Sequence, residues 1–275
     1  MSRKYVMKEV ENPKTYLSWG KGLQSTCLGV LSTLGVLPKV DGIISADTQW
    51  EHSYTDEIEK FYTTWFIDKG VPVYKTTAGN IQEMPFGRLD IPFFTDKTGA
   101  PLRRQCTSMY KIIPIRRKIR ELIGVNATGK GRTRKGLVKL WLGITTDEAE
   151  RMADSSVNYI TNEYPLVDIG MSRTDCIRVF KDLNLPVPRK SSCVCCPYQG
   201  AESWLDLKTN FPIEWNQAVE FDEKFRNSPE EMKLRGYECK LYLWKKLTPL
   251  KDTDFAAIVD KKDNKDVCDS GYCFV

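Results

Sequence analysis

Short β-prone apolar runs alternate with longer segments whose apolar residues recur at helical spacing in the first half of this chain. Strands are predicted at residues 15–18, 42–46, 71–74 and 137–144. Helices are predicted between them, at residues 24–34, 55–69 and 110–123. This alternation predicts an α/β fold, a parallel twisted sheet with helices on both faces, whose ligands bind at the carboxyl ends of the strands.

The second half of the chain has a mainly helical pattern. Helices are predicted at residues 146–152, 172–183 and 213–226, and the cysteine-rich run PVPRKSSCVCCPY interrupts them. Residues 80–105 are irregular and rich in Gly, Pro and Phe, which is typical of a lid or substrate loop. We therefore predict a nucleotide-binding α/β domain at 1–155 and a helical C-terminal part at 156–275, packed together as one unit.

The composition favours a soluble protein. No run of 18 apolar residues occurs among the 275, and the opening MSRKYVMKEVENPK is charged throughout, so we expect a cytoplasmic protein with no membrane partner. The nine cysteines are then expected to be reduced thiols, and their clustering indicates metal binding or redox chemistry.

Positive charge is concentrated in one stretch, although the net charge is only +5. Residues 103–139 contain twelve Lys or Arg residues and one acid, Glu121. Such a stretch suits the phosphates of a nucleotide or a nucleic acid, and it equally fits a solvated helix face followed by a basic loop.

The segment KTYLSWGKGLQSTCLGVLSTLG, residues 14–35, places small and polar residues between the first strand and the first helix. A helix N-terminus offers unpaired N–H groups, and glycine lets an anion approach the backbone, so the loop predicts a phosphate site. The P-loop string G-x-x-x-x-G-K-[ST] does not occur. A dinucleotide fingerprint is matched in part, by G-x-G-x-x-S from Gly20 to Ser25 and by Asp47 after the second strand.

The run SWGKGLQST resembles the pyrophosphatase loop of N-type ATP pyrophosphatases, and in particular that of proteins similar to phosphoadenosine phosphosulfate reductase. Further segments fit this resemblance in the same order: ADTQWEH, LRRQCTSMYKIIPIRRKI, WLGITTDEAERM, MSRTDCI with PRKSSCVCCPY, and the ending CDSGYCFV. The resemblance implies an adenine nucleotide α-hydrolase-like fold. The chain departs from the family at Gln24, where the loop usually carries Asp, so the magnesium-related role of that position is not transferred.

The resemblance implies that ATP or a related adenine nucleotide binds this loop with Mg²⁺. The expected phosphate cradle comprises Ser18, Gly20, Gly22, Ser25 and Thr26. The candidate cations are Lys21, Arg103, Arg104 and Lys111, of which Lys111 is also a candidate catalytic residue. Asp47 is expected to hold a ribose hydroxyl or a magnesium-bound water. As alternatives, Ser25 and Thr26 cap the helix, Asp47 caps a turn, and Arg151, which matches a family position near the substrate, forms only a surface pair.

The cysteines form the second candidate site. Cys193-x-x-Cys196, followed by Pro197, can direct two thiolates at one metal, and the pair alone fits zinc as well as iron–sulfur. The resemblance adds Cys106 and implies a three-cysteine site for a [4Fe–4S] cluster, with zinc as the alternative. Cys268 and Cys273, near the C-terminus, are candidate catalytic thiols, because the sulfonucleotide reductases that the chain resembles carry a reactive cysteine there; equally, one of the two completes the metal site.

Together these features predict an adenine-nucleotide enzyme that adenylates an acceptor or transfers sulfur to it through the three-cysteine site. A tRNA or a DNA acceptor and a homodimer are kept as partner hypotheses. The alternatives are a sulfonucleotide reductase that uses a tail cysteine, and a zinc-stabilised nucleic-acid-binding module without catalysis.

Overall fold

A computed structural model describes residues 12–125 and 136–260, so Cys268 and Cys273 lie outside the described residues. The strands are β1 (Lys14–Ser18), β2 (Gly42–Asp47), β3 (Val73–Thr77), β4 (Phe94–Thr95), β5 (Val138–Leu142), β6 (Ile160–Glu163) and β7 (Leu241–Tyr242). The helices are α1 (Leu23–Thr33), α2 (Ser53–Asp68), α3 (Ile113–Leu122), α4 (Pro165–Asp168), α5 (Arg173–Asp182), α6 (Ala201–Asn210), α7 (Pro212–Arg226), α8 (Glu230–Lys233) and α9 (Phe255–Asp260).

Five strands form one parallel sheet in the order β3-β2-β1-β5-β6. The central strand β1 is buried on both faces, because Tyr16 points into one core cluster and Leu17 into another. Burial on both faces is typical of parallel strands between two helix layers. The predicted α/β fold class with a parallel sheet is confirmed.

The two faces of the sheet are covered by different helices. On one face, Leu17 and Trp19 pack with α1, α2 and α5, whose contributions include Phe66 and Phe180. On the other face, Tyr16 and Ile44 pack with α3. Because α5 and β6 follow residue 155, both predicted parts of the chain contribute to this sheet and its helix layers.

A third core cluster lies beside the sheet. The antiparallel pair β4–β7 packs with α6, α7 and α9 around buried aromatic side chains such as Phe93, Trp204 and Trp244. This cluster also includes Trp50, Val194 and Cys195, so it supports the cysteine-rich run. None of the helices in the described ranges has the length and apolar character needed to cross a bilayer.

Some elements differ from the prediction. The helix predicted at 110–123 begins with a π-helical turn, Ser108–Ile112, and the segment at 146–152 is a 3₁₀ helix, Thr146–Arg151. Strand β3 starts after Pro72, which lacks an N–H for the ladder. The edge strand β6 and helix α6 were not predicted, since ITNE is short and has one apolar residue, and AESWLDLKTN is a short segment close after the cysteine-rich run.

Gly29 in α1 is a close-packing position. An added Cβ would lie 2.7 Å from Cζ of Phe66 and 3.2 Å from Cδ2 of Leu17, both fully buried. We expect Gly29→Ala to lower the free energy of unfolding by about 1–3 kcal/mol, because the core has no room for the methyl group. Urea denaturation measures this loss. The double variant Gly29→Ala/Phe66→Leu should lose less than the sum of the two single variants, and simple additivity would argue against the contact.

Candidate functional site

The loop between β1 and α1 leaves the helix N-terminus open to a ligand. Gly22 is the N-cap residue of α1, and no side chain of the described residues caps the first turn. Ser25 Oγ accepts a hydrogen bond from Gly20 N at 3.2 Å and lies 3.3 Å from Gly22 O. These contacts fix the loop from within, while the first N–H groups of α1 remain available for an anion.

Thr26 has a structural place in this loop. Its hydroxyl accepts a hydrogen bond from Trp19 Nε1 at 2.9 Å and donates to Gly22 O at 2.8 Å, and the side chain is fully buried. Among the predicted cradle residues, Ser18, Gly20, Gly22 and Ser25 share one cavity, and Thr26 lies beneath them.

Lys21 points away from this cavity into a buried ion cluster. Its backbone adopts a left-handed conformation with φ of 63°, which turns the side chain toward α2. Its Nζ lies 2.5 Å from Glu51 Oε2 and 3.2 Å from Glu59 Oε2, and only 1% of the side chain is exposed. Lys111 Nζ approaches the other oxygen of Glu51, at 3.6 Å. The ammonium group of Lys21 therefore compensates buried carboxylates.

Two adjoining cavities open at the carboxyl ends of β1 and β5, where the α/β fold predicts ligand binding. The phosphate-loop cavity has a volume of about 300 Å³. It is lined by Ser18, Gly20, Gly22, Gln24, Ser25, Leu142, Gly143, Ile144, Glu148, Arg151, Arg173, Lys190 and Ser191. Its polar loop residues face three basic side chains, an arrangement that suits phosphate groups.

The second, the apolar cavity, has a volume of about 230 Å³ and shares Ser18, Gly20 and Arg151 with the first. Its apolar walls come from α3 and the π-helical turn before it, from β5 and the loop after it, and from β6; they include Ile112, Ile115, Leu140, Ile144 and Ile160. Polar and charged residues, among them Lys111, Arg116 and Asn162, also line it. A cavity that combines apolar walls with polar groups suits a small molecule.

The cysteine-rich run is held against the end of β2. Glu51 and Cys193 form an isolated antiparallel bridge, and Val194 N donates to Trp50 O at 3.1 Å. Cys196 N donates to Cys193 O, which closes a tight turn before Pro197. The segment before the turn packs on the phosphate loop, because a Cβ at Gly22 would lie 3.5 Å from Ser191 N. The two predicted sites are therefore neighbours.

Four cysteines line one small cavity, which we call the cysteine cavity: Cys106, Cys193, Cys195 and Cys196. Its volume is about 30 Å³. Burial raises the pKa of the Cys193 thiol to about 11, against the opposing effects of Lys111 and of Thr48, whose Oγ1 lies 3.3 Å from Sγ. Within the described ranges, no three His, Cys, Asp or Glu side chains are arranged to hold a metal ion.

The remaining predicted site residues lie around these cavities. Asp47 lies at the end of β2 in an open groove beside α2, where Gln49 N and Lys75 Nζ contact its carboxylate at 2.7 and 3.1 Å. Burial by itself would raise the pKa of Asp47, but the contacts with Gln49 and Lys75 outweigh this effect, so the pKa is lowered. Arg104 lines the cysteine cavity and lies over the ring of Tyr198. Arg103 is exposed and lines none of the three cavities.

Several lining residues were not predicted. Arg173, Lys190 and Ser191 reach the phosphate-loop cavity from α5 and from the segment before the cysteines. Glu148 pairs with Arg151, which is buried and lines both larger cavities, so Arg151 is more than a surface pair. Sequence spacing places none of these side chains, because their positions depend on loops that converge only in the folded chain.

A scan against protein-family models finds no match for this chain, and a search of curated proteins finds none either. The class of protein that the fold itself defines is therefore the broad one, an α/β protein with a five-stranded parallel sheet.

The ion cluster around Lys21 leads to a stability prediction. We expect Lys21→Met to lower the free energy of unfolding by about 3–5 kcal/mol, because it removes the buried ammonium group that lies closest to both carboxylates. Lys75→Met is the matched control, since Lys75 pairs with the same Glu59 but its side chain is 54% exposed. The control should lose about 1 kcal/mol or less in urea denaturation. Equal losses in the two variants would contradict a buried role for Lys21.

The same cluster predicts how this difference depends on pH. Burial lowers the pKa of Lys21, but Glu51 and Glu59 more than offset it and raise the pKa from 10.5 to about 12. A pKa that is raised on folding stabilises the folded state below the unfolded value, and this contribution disappears as the pH passes the folded value. The advantage of the wild type over Lys21→Met should be full below pH 10.5 and shrink toward pH 12. A constant difference over this interval would contradict the assignment.

Proposed function

We propose that this chain is a cytoplasmic enzyme of the pyrophosphatase-loop type, resembling phosphoadenosine phosphosulfate reductase, that uses an adenine nucleotide for adenylation or sulfur transfer. One observation carries the proposal. Lys111 and Thr107 line both the apolar cavity beside the phosphate loop and the cysteine cavity. A nucleotide and a thiol-bound group would therefore lie on two sides of one wall, as a reaction that uses both requires.

In this proposal the phosphates of ATP lie in the phosphate-loop cavity, and the nucleoside lies in the apolar cavity. The N–H groups at the start of α1 bind phosphate oxygens, and Arg173 and Lys190 add positive charge to the same cavity. In the adenylation step, an acceptor oxygen bonds to the α-phosphorus and the bond to the β-phosphate oxygen breaks, so pyrophosphate leaves. The basic side chains stabilise the negative charge that develops.

Cys106, Cys193 and Cys196 are the residues that would hold the metal group, with Cys195 in the same cavity. A [4Fe–4S] cluster held by three cysteines supplies one iron with an open position for a small ligand, whereas zinc with four thiolates would be structural. These thiols line one small cavity, although no three of the described His, Cys, Asp or Glu side chains are already arranged around a metal position. Burial raises the pKa of Cys193 to about 11, and the positive charge of Lys111 opposes this rise, so Lys111 reduces the cost of forming the thiolate that ligation requires.

The acceptor is proposed to be a nucleic acid, tRNA or DNA. Support comes from α3, which carries Arg116, Arg117, Lys118 and Arg120. Arg116 also lines the apolar cavity, so a backbone bound along α3 would bring a base or a sugar near the nucleotide.

The metal half of the proposal is tested on anaerobically purified protein. We expect a brown protein with visible absorbance and about four irons per chain. Cys193→Ser should lose colour and iron, because it removes a ligand. Cys239→Ser is the matched control, since Cys239 is also partly buried but lines none of the three cavities. A colourless protein that holds zinc would instead favour the non-catalytic module.

The nucleotide half is tested by product release. ATP should yield AMP and pyrophosphate when tRNA or DNA is offered with a sulfur donor. Release of sulfite from a sulfated adenine nucleotide would instead favour the reductase, and the absence of every one of these products would count against catalysis.

Gly143 provides a structural test of the nucleotide site. An added Cβ would lie 2.5 Å from Ser25 N and 2.9 Å from Gln24 C, so Gly143→Ala must displace the first turn of α1. We expect ATP affinity to fall about 10-fold or more, since small displacements of binding groups are costly. Isothermal titration calorimetry measures this affinity.

The matched control for Gly143→Ala is Gly42→Ala. An added Cβ at Gly42 would lie 2.8 Å from Cε2 of Tyr74, but Gly42 is at the opposite end of the sheet. The control should lose stability and retain ATP affinity. If Gly143→Ala and Gly42→Ala bound ATP with the same affinity, this result would argue that ATP does not bind at the loop.

A further inference from the structure

The phosphate loop lacks a carboxylate of its own, but the structure places one directly against it. Gln24 Nε2 donates to Glu148 Oε2 at 3.3 Å, although the two residues are 124 positions apart. Glu148 lies in the 3₁₀ helix that follows β5, where its φ of −129° breaks the regular helical conformation. Because β1 and β5 are neighbours, the loops after them meet at one edge of the sheet.

Among the described residues, Glu148 is the only acidic one that lines the phosphate-loop cavity, which it shares with Ser18, Gly20 and Ser25. Its side chain is 14% exposed. Oxygen Oε2 accepts from Gln24 and from Arg151 Nη1, and Oε1 has no hydrogen bond or ion pair with any described residue. The contacts of Oε2 thus fix the orientation of the carboxylate, and among the described residues Oε1 is left available to a ligand.

A carboxylate among phosphate-binding groups repels a phosphate unless a cation lies between the two. Mg²⁺ supplies such a cation, since it is usually bound by one or two carboxylates together with substrate phosphates and waters. We propose that Glu148 is the carboxylate that faces the magnesium of the bound nucleotide, in the place of the loop acid that Gln24 replaces. This inference rests on the proposed function, because it requires a nucleotide at the loop.

A competing explanation is that Glu148 only orients Arg151 toward the phosphates. The two roles predict different effects of Glu148→Gln. Loss of a metal-facing carboxylate weakens binding only when the metal is present. Loss of Arg151 orientation weakens binding whether or not the metal is present.

The experiment compares the affinity for α,β-methylene-ATP in EDTA with the affinity in saturating Mn²⁺, by calorimetry. In the wild type, Mn²⁺ should tighten binding. In Glu148→Gln this tightening should fall by about 10-fold or more, with affinity in EDTA unchanged or higher. Glu150→Gln is the matched control, because Glu150 is exposed in the same 3₁₀ helix and does not line the cavity. It should behave as the wild type does.

An exchange variant makes the test sharper. Gln24→Glu/Glu148→Gln moves the carboxylate to the loop and keeps an amide–carboxylate pair between the two positions. It should recover most of the Mn²⁺-dependent tightening. If Glu148→Gln does not fold, Glu148→Asp replaces it, because this variant keeps the charge but retracts the carboxylate. Its Mn²⁺-dependent tightening should be measurable but smaller than that of the wild type and of Glu150→Gln.

The outcomes separate the two levels of the argument. If the wild type binds no α,β-methylene-ATP in either condition, the proposed function fails and the inference fails with it. If the wild type binds the analogue but Glu148→Gln keeps the full Mn²⁺ effect, or weakens binding equally in EDTA, only the role of Glu148 is overturned.

Discussion

The structure around the site depends on one buried ion pair, between Lys21 in the phosphate loop and Glu51 after β2. Charges this deeply buried are tolerated only when they are paired, so the pair fixes where both chain segments lie. Lys21 adopts a left-handed backbone conformation to reach Glu51, and this conformation shapes the turn before α1. Glu51 is also bridged to Cys193 through the backbone, so the same pair ties the phosphate loop to the cysteine turn.

The sheet and the phosphate loop are largely predictable from sequence because their causes are local. Apolar runs such as GIISA predict buried parallel strands, and small residues before an apolar helical repeat predict the loop after β1. Strand β6 is missed for the opposite reason. Three of its four residues are polar, and among the described strands it pairs with β5 alone, so its conformation comes from the neighbouring strand rather than from its own propensity.

The side-chain contacts of the site are less predictable, because they join distant segments. Lys21 looks like a phosphate ligand in the sequence, since nothing nearby reveals that Glu59 lies within reach of its ammonium group. Gln24 similarly looks like a simple loss of charge until Glu148 is seen beside it. Cys195 looks like a spacer within the cysteine run, yet it lines the same cavity as Cys106, which is 89 positions away. A local motif identifies such a site but not its complement of charges.

The π-helical turn before α3 explains how one residue reaches two cavities. This turn, Ser108–Ile112, has a wider repeat than an α-helix, with Ile113 N donating to Ser108 O. Residues five positions apart, such as Cys106 and Lys111, are thereby brought toward the same side, and both line the cysteine cavity. In a regular α-helix, two side chains five residues apart point about 140° away from each other around the helix axis. The irregular turn therefore places Lys111 at the wall between the cysteine cavity and the apolar cavity, and its side chain lines both.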